Sequence, residues 1–322
     1  MDRDLSMNLV RLTEAAAIGA GKYLGLGQKN LADGAAVDNM RKMFDTMAIE
    51  GEVVIGEGEM DEAPMLYIGE KIGISGMGYP RVDIAVDPID GTEPLSKGIN
   101  GALAVVALAP QGTLLRAPDM YMEKLVVGPG GRGAVSLAYD VETNLRQLAR
   151  ALGKELHEMT LTALDRERHR QIITVCRELG VRVRLFEAGD IAAAIETCFD
   201  ESAVDIMMGS GGAPEGVIAA AAIRALGGYM EGRLIPENQA QGDRCLAMGV
   251  EPMRIYTLEE LVKSDDIFFA ATGITDSVLV KGIRYEKGNI ARTDSVVIRG
   301  KTGTSRNIQA IHHLDKKPYY AR

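Results

Sequence analysis

The sequence RVDIAVDPIDGT, residues 81–92, decides how the first half of this chain is interpreted. Its first six residues alternate β-branched side chains with polar or small ones, which is typical of a strand. The β-branched positions are Val82, Ile84 and Val86. Proline and glycine follow, so we expect the strand to end at Asp87 and to lead into a turn.

Two acidic residues, Asp87 and Asp90, lie in that expected turn. Pro88 restricts one φ angle and Gly91 permits a tight bend, so both carboxylates can converge on one point. Two hard oxygen ligands held in this way suit Mg²⁺ or Mn²⁺. The alternative is that each aspartate caps its own turn backbone and binds no ion. The local sequence leaves both interpretations open.

A second acidic segment, EVVIGEGEMDEAPM at residues 52–65, begins with a short apolar strand. Four acids lie within the six residues after Gly56, and they are Glu57, Glu59, Asp61 and Glu62. Ionised carboxylates this close raise one another's pKa, and divalent cations would neutralise them. The segment therefore predicts a metal-binding loop, with a solvated acidic loop as the alternative.

Two amphipathic helices are predicted before this segment. The first has apolar or small residues at three- and four-residue intervals, at Leu5, Leu9, Leu12, Ala16, Gly19 and Tyr23. Its small residues allow another element to approach closely. The second helical pattern spans residues 40–47 and follows Asp33. Asp33 is either the N-cap of that helix or a metal ligand, and the sequence favours neither.

The middle of the chain predicts a hairpin and a boundary between two lobes. Residues 102–109 form an apolar strand, and residues 113–116 are expected to return beside it after a turn. The glycine-rich segment GPGGRG at residues 128–133 is the best candidate linker. We therefore divide the chain into a metal-binding lobe, residues 1–130, and a second α/β lobe, residues 131–322.

The second half alternates helical and strand patterns, which is typical of an α/β fold. Arg166 and Arg168 precede a predicted helix, where guanidinium groups would favour phosphate, although a solvated basic face is the alternative. The sequence GSGGAPEG, residues 209–216, leads from a strand into a helix and suits an anion-binding loop. Glu215 in its first helical turn either complements the helix dipole or adds an oxygen ligand.

Composition excludes several classes of protein. The chain has 322 residues, is 46% hydrophobic and carries a net charge of −9, so it is globular and poorly suited to binding nucleic acid. Three widely spaced cysteines support neither a disulfide framework nor a zinc site. No apolar run is long enough for a transmembrane helix. We expect a cytoplasmic protein that binds no membrane.

Five motifs, in order along essentially the whole chain, resemble the class II fructose-1,6-bisphosphatases, the bacterial, Mn²⁺-preferring branch of the lithium-sensitive sugar phosphatase superfamily. The resemblance implies a layered α-β-α-β-α fold with two lobes. It also implies hydrolysis of the 1-phosphate of fructose 1,6-bisphosphate in gluconeogenesis, with Mn²⁺ or Mg²⁺ as cofactor. The motifs are IGEGEMDEAPML (residues 55–66), VDPIDGT (86–92), APDMYMEK (117–124), GSGGAPEG (209–216) and FAATGITD (269–276).

The same resemblance assigns roles to individual residues and implies a homodimer or homotetramer. The implied metal ligands are Asp33, Glu57, Asp87, Asp90 and Glu215. Asp61 with Thr92 would activate the attacking water. The implied substrate contacts are Asp90, Gly91, Thr92, Tyr121, Arg166, Glu167, Arg168, Ala188, Gly189, Asp190 and Gly212.

The chain departs from the family pattern at three of these positions. Asp90 stands where the family usually has glutamate, Glu167 where it has proline, and Ala188 where it has aspartate. All three touch the metal or the sugar end of the site, so they bear on the substrate more than on the reaction. Sedoheptulose-1,7-bisphosphatase, alone or with the first activity, is the main alternative. An inositol-monophosphatase-like enzyme and a non-catalytic homologue are the others.

Overall fold

A computed structural model describes residues 1, 4–58, 65–74, 76 and 78–318. The chain forms two compact units: unit 1 is Met1–Leu114 with Ser264–Arg322, and unit 2 is Leu115–Lys263. The predicted boundary near residue 130 is therefore misplaced, since residues 128–133 lie inside unit 2. The sequence prediction also missed that the last part of the chain returns to unit 1, where its strands complete the first sheet.

Strands and helices alternate from residue 121 to residue 261, as expected for the second half, whereas residues 268–313 hold four consecutive strands. The helices are α1 (Leu5–Gly21), α2 (Lys29–Phe44), α3 (Thr92–Lys97), α4 (Val141–Leu152), α5 (Arg170–Glu178), α6 (Asp190–Glu196), α7 (Ala213–Leu226), α8 (Gln239–Ala247) and α9 (Leu258–Leu261). The strands are β1 (Glu50–Ile55), β2 (Lys71–Ile72), β3 (Arg81–Asp90), β4 (Leu103–Pro110), β5 (Tyr121–Val127), β6 (Thr160–Leu164), β7 (Arg182–Phe186), β8 (Ile206–Gly212), β9 (Tyr229–Ile235), β10 (Ile255–Thr257), β11 (Phe268–Gly273), β12 (Arg284–Glu286), β13 (Ile290–Arg299) and β14 (Thr304–His313).

Unit 1 is built on a mixed sheet in the order β12-β13-β11-β4-β3-β1-β2, with β14 also paired to β13. Strands β1 and β3 run parallel, whereas β3 and β4 are antiparallel. Helix α1 lies against β11, β13 and β4, and α2 lies against α1 and β3. Gly19 permits the close helix contact, because a Cβ there would lie 2.7 Å from the carbonyl oxygen of Ala35. This confirms the expected role of small residues on α1.

The core of unit 1 explains why its apolar residues recur at helical and strand intervals. Each fully buried side chain of leucine or phenylalanine size contributes about 1.5–3 kcal/mol to folding. Core residues from both helices and the sheet include Leu9, Leu12, Phe44, Ile84 and Phe268, all with no solvent exposure.

The predicted hairpin between residues 102–109 and 113–116 is wrong in its second strand. Strand β4 forms as expected, but its partners are β3 and β11. The backbone N–H groups of Thr113 and Leu114 donate instead to Oδ2 of Asp83, at 2.9 and 3.1 Å. A buried carboxylate thus takes the place of the strand pairing that the apolar pattern suggested.

Unit 2 is built on a second mixed sheet, in the order β10-β9-β5-β8-β6-β7. Strand β5 is central and antiparallel to both β8 and β9. Its core includes Leu125, Leu145, Leu148, Leu161 and Ile206. Two mixed sheets with helices confirm the predicted α/β class. No helix in the described part of the chain is both long and apolar enough to cross a membrane.

Candidate active site

The two aspartates of the VDPIDGT motif lie at the end of β3. Pairing with β4 continues to Asp90 and does not end at Asp87, with a register shift between them. From Asp87 to Asp90 the strand β3 advances three residues while β4 advances two, from Val105 to Leu103, so one residue of β3 is bulged. A β-bulge bends the strand and redirects the side chains that follow it. Asp90 is buried, with 4% of its surface exposed.

The turn after Asp90 is held by backbone geometry. Gly91 has φ 98°, and a Cβ there would lie 2.9 Å from the carbonyl oxygen of Gly101, so only glycine is accommodated without strain. Helix α3 begins at Thr92, whose hydroxyl donates to the carbonyl oxygen of Ile89 at 3.2 Å. Oδ1 of Asp87 accepts the N–H of Ile89 at 2.9 Å, so this aspartate does cap its turn.

Asp33 lies inside α2, four residues after the helix begins at Lys29, so its predicted role as an N-cap is wrong. Burial raises the pKa of Asp33. Glu57 follows β1, and burial together with the negative charge of Asp33 raises the pKa of Glu57 to about 8. The two carboxylates thus lie close enough to interact. Oxygen donors that disfavour each other's ionisation are the donor set that a divalent cation stabilises.

The remaining acids of the second motif, including Asp61, lie in residues 59–64, outside the described residues. Among the residues that the structure does describe, no three or more His, Cys, Asp or Glu side chains are arranged to hold a metal ion. Within unit 1, the negative charge of Asp33 acts on Glu57. The full predicted ligand set therefore stays a prediction.

In unit 2, an arginine and an aromatic ring form the exposed part of the predicted substrate site. The Arg168 guanidinium lies 4.8 Å from the Tyr121 ring centroid, a cation–π distance, and its Nε donates to Oγ of Ser210 at 2.9 Å. Nη2 of Arg166 donates to the carbonyl oxygen of Glu187 at 2.6 Å. Both guanidinium groups are exposed and held by backbone or hydroxyl oxygens.

The other predicted contacts of this region are Glu167, which lies between the two arginines in the chain, and residues 188–190. Glu167 is exposed and forms an ion pair with Arg170 at 2.5 Å. Ala188 precedes Gly189, which has φ 79° and is followed by Asp190, the first residue of α6. The left-handed glycine turns the chain so that Asp190 enters the helix buried, with 6% of its surface exposed.

The glycine-rich motif is part of a strand rather than the expected loop. Residues 209–212 belong to β8 and pair with β5, and α7 begins directly afterwards at Ala213. A Cβ on Gly212 would overlap Oε2 of Glu215. This Oε2 is buried and has no hydrogen-bond partner among the described residues. Burial and the charge of Asp190 raise the pKa of Glu215, while the nearby Lys124 ammonium lowers it.

His169 is a buried residue that links the arginines to β8. Its Nδ1 is 2.8 Å from the carbonyl oxygen of Leu164, and its Nε2 accepts the N–H of Ser210 at 2.8 Å. Nδ1 therefore carries the proton in the neutral ring. Burial lowers the pKa of His169, and the charges of Arg168 and Arg166 lower it further.

We expect the free energy of unfolding to decrease as the pH falls below about 6.5. His169 has a lower pKa in the folded chain than in the unfolded chain, so in this pH range the unfolded chain binds the additional proton. Above that pH both states are neutral at this ring and the contribution is constant. Thermal unfolding between about pH 8 and pH 5 should show a shallower decrease for His169→Gln. The exposed His157→Gln is the control and should keep the wild-type slope. Parallel slopes for His169→Gln and wild type would contradict this.

Comparison with known proteins shows the family of this chain. A model of the family described as bacterial fructose-1,6-bisphosphatase, glpX-encoded, matches residues 3–312. The chain belongs to this family. The fructose-1,6-bisphosphatase 1 class 2 of Escherichia coli (strain K12) is 51% identical over 330 residues, which covers 98% of this chain and 97% of that protein. The fructose-1,6-bisphosphatase class 2 of Haemophilus influenzae is 48% identical over 328 residues, 98% of each chain.

Membership of the glpX-encoded family confirms the resemblance inferred from the five motifs. The sequence interpretation nevertheless missed two residues that the structure places beside the predicted contacts, Lys124 and Ser210. Two positions before and after Lys124 in β5 stand the buried apolar residues Met122 and Val126, and a lysine on such a strand face is a signal of a buried charge. No sequence feature singled out Ser210, because the segment around it was interpreted by its glycines alone.

Proposed function

We propose that the chain hydrolyses the 1-phosphate of fructose 1,6-bisphosphate, giving fructose 6-phosphate and inorganic phosphate. The observation that carries this proposal is family membership over residues 3–312, with relatives named fructose-1,6-bisphosphatase at about half identity. The same proposal places the enzyme in the cytoplasm and in gluconeogenesis.

The predicted metal ligands would hold Mn²⁺ or Mg²⁺. In unit 1, the interaction of Glu57 with Asp33 supports this role. In unit 2, the predicted ligand Glu215 has a buried Oε2 with no hydrogen-bond partner in the described part of the chain. Asp87 and Asp90 complete the proposed set. A divalent cation held by these residues would supply the positive charge that phosphoryl oxygens and a leaving alkoxide need.

The protein groups would orient water and move its proton. The Thr92 hydroxyl donates to the carbonyl oxygen of Ile89, so its oxygen faces any further partner as an acceptor. In the proposed reaction this oxygen orients the attacking water and Asp61 takes the proton. The water oxygen bonds to phosphorus and the bond from phosphorus to the sugar oxygen breaks. The sugar oxygen takes a proton from solvent, and Asp61 later returns its proton to solvent.

The residues of unit 2 would bind the part of the substrate that does not react. Arg166 and Arg168 are exposed guanidinium groups suited to the distal phosphate, and Tyr121 beneath Arg168 adds a hydroxyl donor. The Asp190 carboxylate would accept a hydrogen bond from a sugar hydroxyl. Such contacts bind the substrate and the transition state alike, so they lower KM.

A phosphate-release assay tests the proposed function. The purified chain with Mn²⁺ or Mg²⁺ should release one phosphate from fructose 1,6-bisphosphate and lose that activity in EDTA, because the acids alone cannot neutralise the phosphoryl oxygens. Sedoheptulose 1,7-bisphosphate and inositol 1-phosphate, assayed in parallel, decide between the sugar and inositol alternatives. Activity that survives the chelator would refute the metal dependence, and no release from fructose 1,6-bisphosphate would refute the function.

We also expect a symmetric homo-oligomer, a dimer or a tetramer, since closed two-fold assemblies are the commonest among soluble enzymes. Light scattering at assay concentration should give at least twice the chain mass of 34.6 kDa. A monomer mass would contradict the expectation without bearing on the reaction.

A further inference from the structure

A lysine ammonium is buried in unit 2 beside two carboxylates. Lys124 has 1% of its side chain exposed, and its Nζ lies 2.5 Å from Oδ2 of Asp190. Glu215 is near enough for the charges of Lys124 and Asp190 to act on it in opposite directions. Charged side chains are almost never fully buried unless they are paired, so this arrangement needs a reason.

Glycines make the space for this cluster. A Cβ on Gly211 would overlap Oδ2 of Asp190, and a Cβ on Gly216 would lie 3.0 Å from Cε of Lys124. Neither glycine has a positive φ, so the backbone at these positions does not require glycine for its conformation. Gly211 gives room to the aspartate, and Gly216 gives room to Lys124 and also to Met122, whose Sδ would lie 2.6 Å from a Cβ there. Backbone on one side and the ammonium on the other leave the Asp190 carboxylate little freedom to move.

We propose that Lys124 is a positioning residue that fixes the ionised Asp190 carboxylate for the sugar hydroxyl of the substrate. The inference rests on the proposed function, in which Asp190 binds that hydroxyl. Nζ of Lys124 donates to Oδ2 of Asp190, and this contact sets the rotation of the carboxylate and so the direction in which its other oxygen can accept a hydrogen bond. Lys124 acts through Asp190 and does not touch the reacting phosphate.

A purely structural ion pair would behave differently. Loss of one partner of a buried pair destabilises the fold, and it would lower the amount of active enzyme without changing the KM of what remains. A positioning role weakens substrate binding in particular. The separation of KM from kcat therefore distinguishes the two roles.

The test is Lys124→Met in the full chain, assayed for phosphate release from fructose 1,6-bisphosphate with Mn²⁺. We expect KM to rise about tenfold while kcat stays within about twofold of wild type. In the Asp190→Asn background, Lys124→Met should add little, because the effects of a residue and the partner it acts through are not additive. A wild-type enzyme that releases no phosphate would instead refute the proposed function, so the two failures are distinguishable.

Gly211→Ala is the second variant, and it decides the test if Lys124→Met does not fold. It keeps Lys124 but displaces the Asp190 carboxylate, so it should raise KM in the same way. Gly242→Ala in α8 is the matched control, since a Cβ there meets no atom within 4 Å. A wild-type KM in either site variant, or a KM effect of Lys124→Met that persists in full without the Asp190 carboxylate, would overturn the proposal.

Discussion

Glu57→Gln should reduce kcat/KM by at least about 100-fold and at the same time raise the melting temperature of the metal-free chain by about 2 °C or more. The activity falls because an amide replaces a proposed anionic metal ligand. The stability rises because a buried carboxylate beside Asp33 costs free energy, and a neutral side chain of the same shape removes the repulsion. A substitution that lowers activity and raises stability is typical of a functional residue.

The measurement is phosphate release with Mn²⁺, together with thermal unfolding in EDTA. Glu50→Gln, at the start of β1, is the control, because Glu50 pairs with the exposed Arg81 at 3.2 Å and should change neither quantity much. A Glu57→Gln protein that is fully active, or one that melts well below wild type in EDTA, would show that Glu57 has a structural role.

Local patterns predicted much of the fold because they report burial along one element at a time. The helical intervals from Leu5 to Gly19 lie in α1, and the strand alternation of residues 82–86 lies in β3. The pattern could not show that β11 and β13 return to the first sheet, since strand pairing over long sequence distances leaves no local mark. The single boundary at residue 130 failed for that reason.

Sequence could predict those site residues whose role follows from their residue type. It could not predict residues whose role depends on a contact with a distant part of the chain. Acid clusters at strand ends drew attention to Glu57 and Asp90, and the structure places these carboxylates in a partly buried and a buried position. The N-cap prediction for Asp33 failed because α2 begins earlier, at Lys29, without a side-chain cap. The significance of Lys124 depends on Asp190, 66 residues further along the chain, and sequence spacing does not reveal that contact.

Asp90, where the chain departs from its family's usual glutamate, should also be required for activity. Aspartate is shorter by one methylene, about 1.5 Å, whereas metal ligation tolerates only about 0.2 Å of error. Either the turn compensates, or water bridges the gap and one cation is held weakly. The structure favours the first case, since the bulge before Asp90 and the positive φ of Gly91 fix a distinct turn and Asp90 is almost fully buried.

In that case Asp90→Asn should lower kcat/KM by about 100-fold or more, and Asp90→Glu should also impair the enzyme because the buried position has no room for a methylene. Titration of activity with Mn²⁺ for both variants and wild type provides the measurement, and Asp45→Asn, an exposed aspartate paired with Arg41, is the control. If Asp90→Glu instead binds Mn²⁺ more tightly and is more active at low metal, water bridges the gap in the wild type. An Asp90→Asn enzyme with the wild-type rate and metal requirement would show that Asp90 is not a metal ligand, because loss of a ligand's charge weakens the binding of the cation.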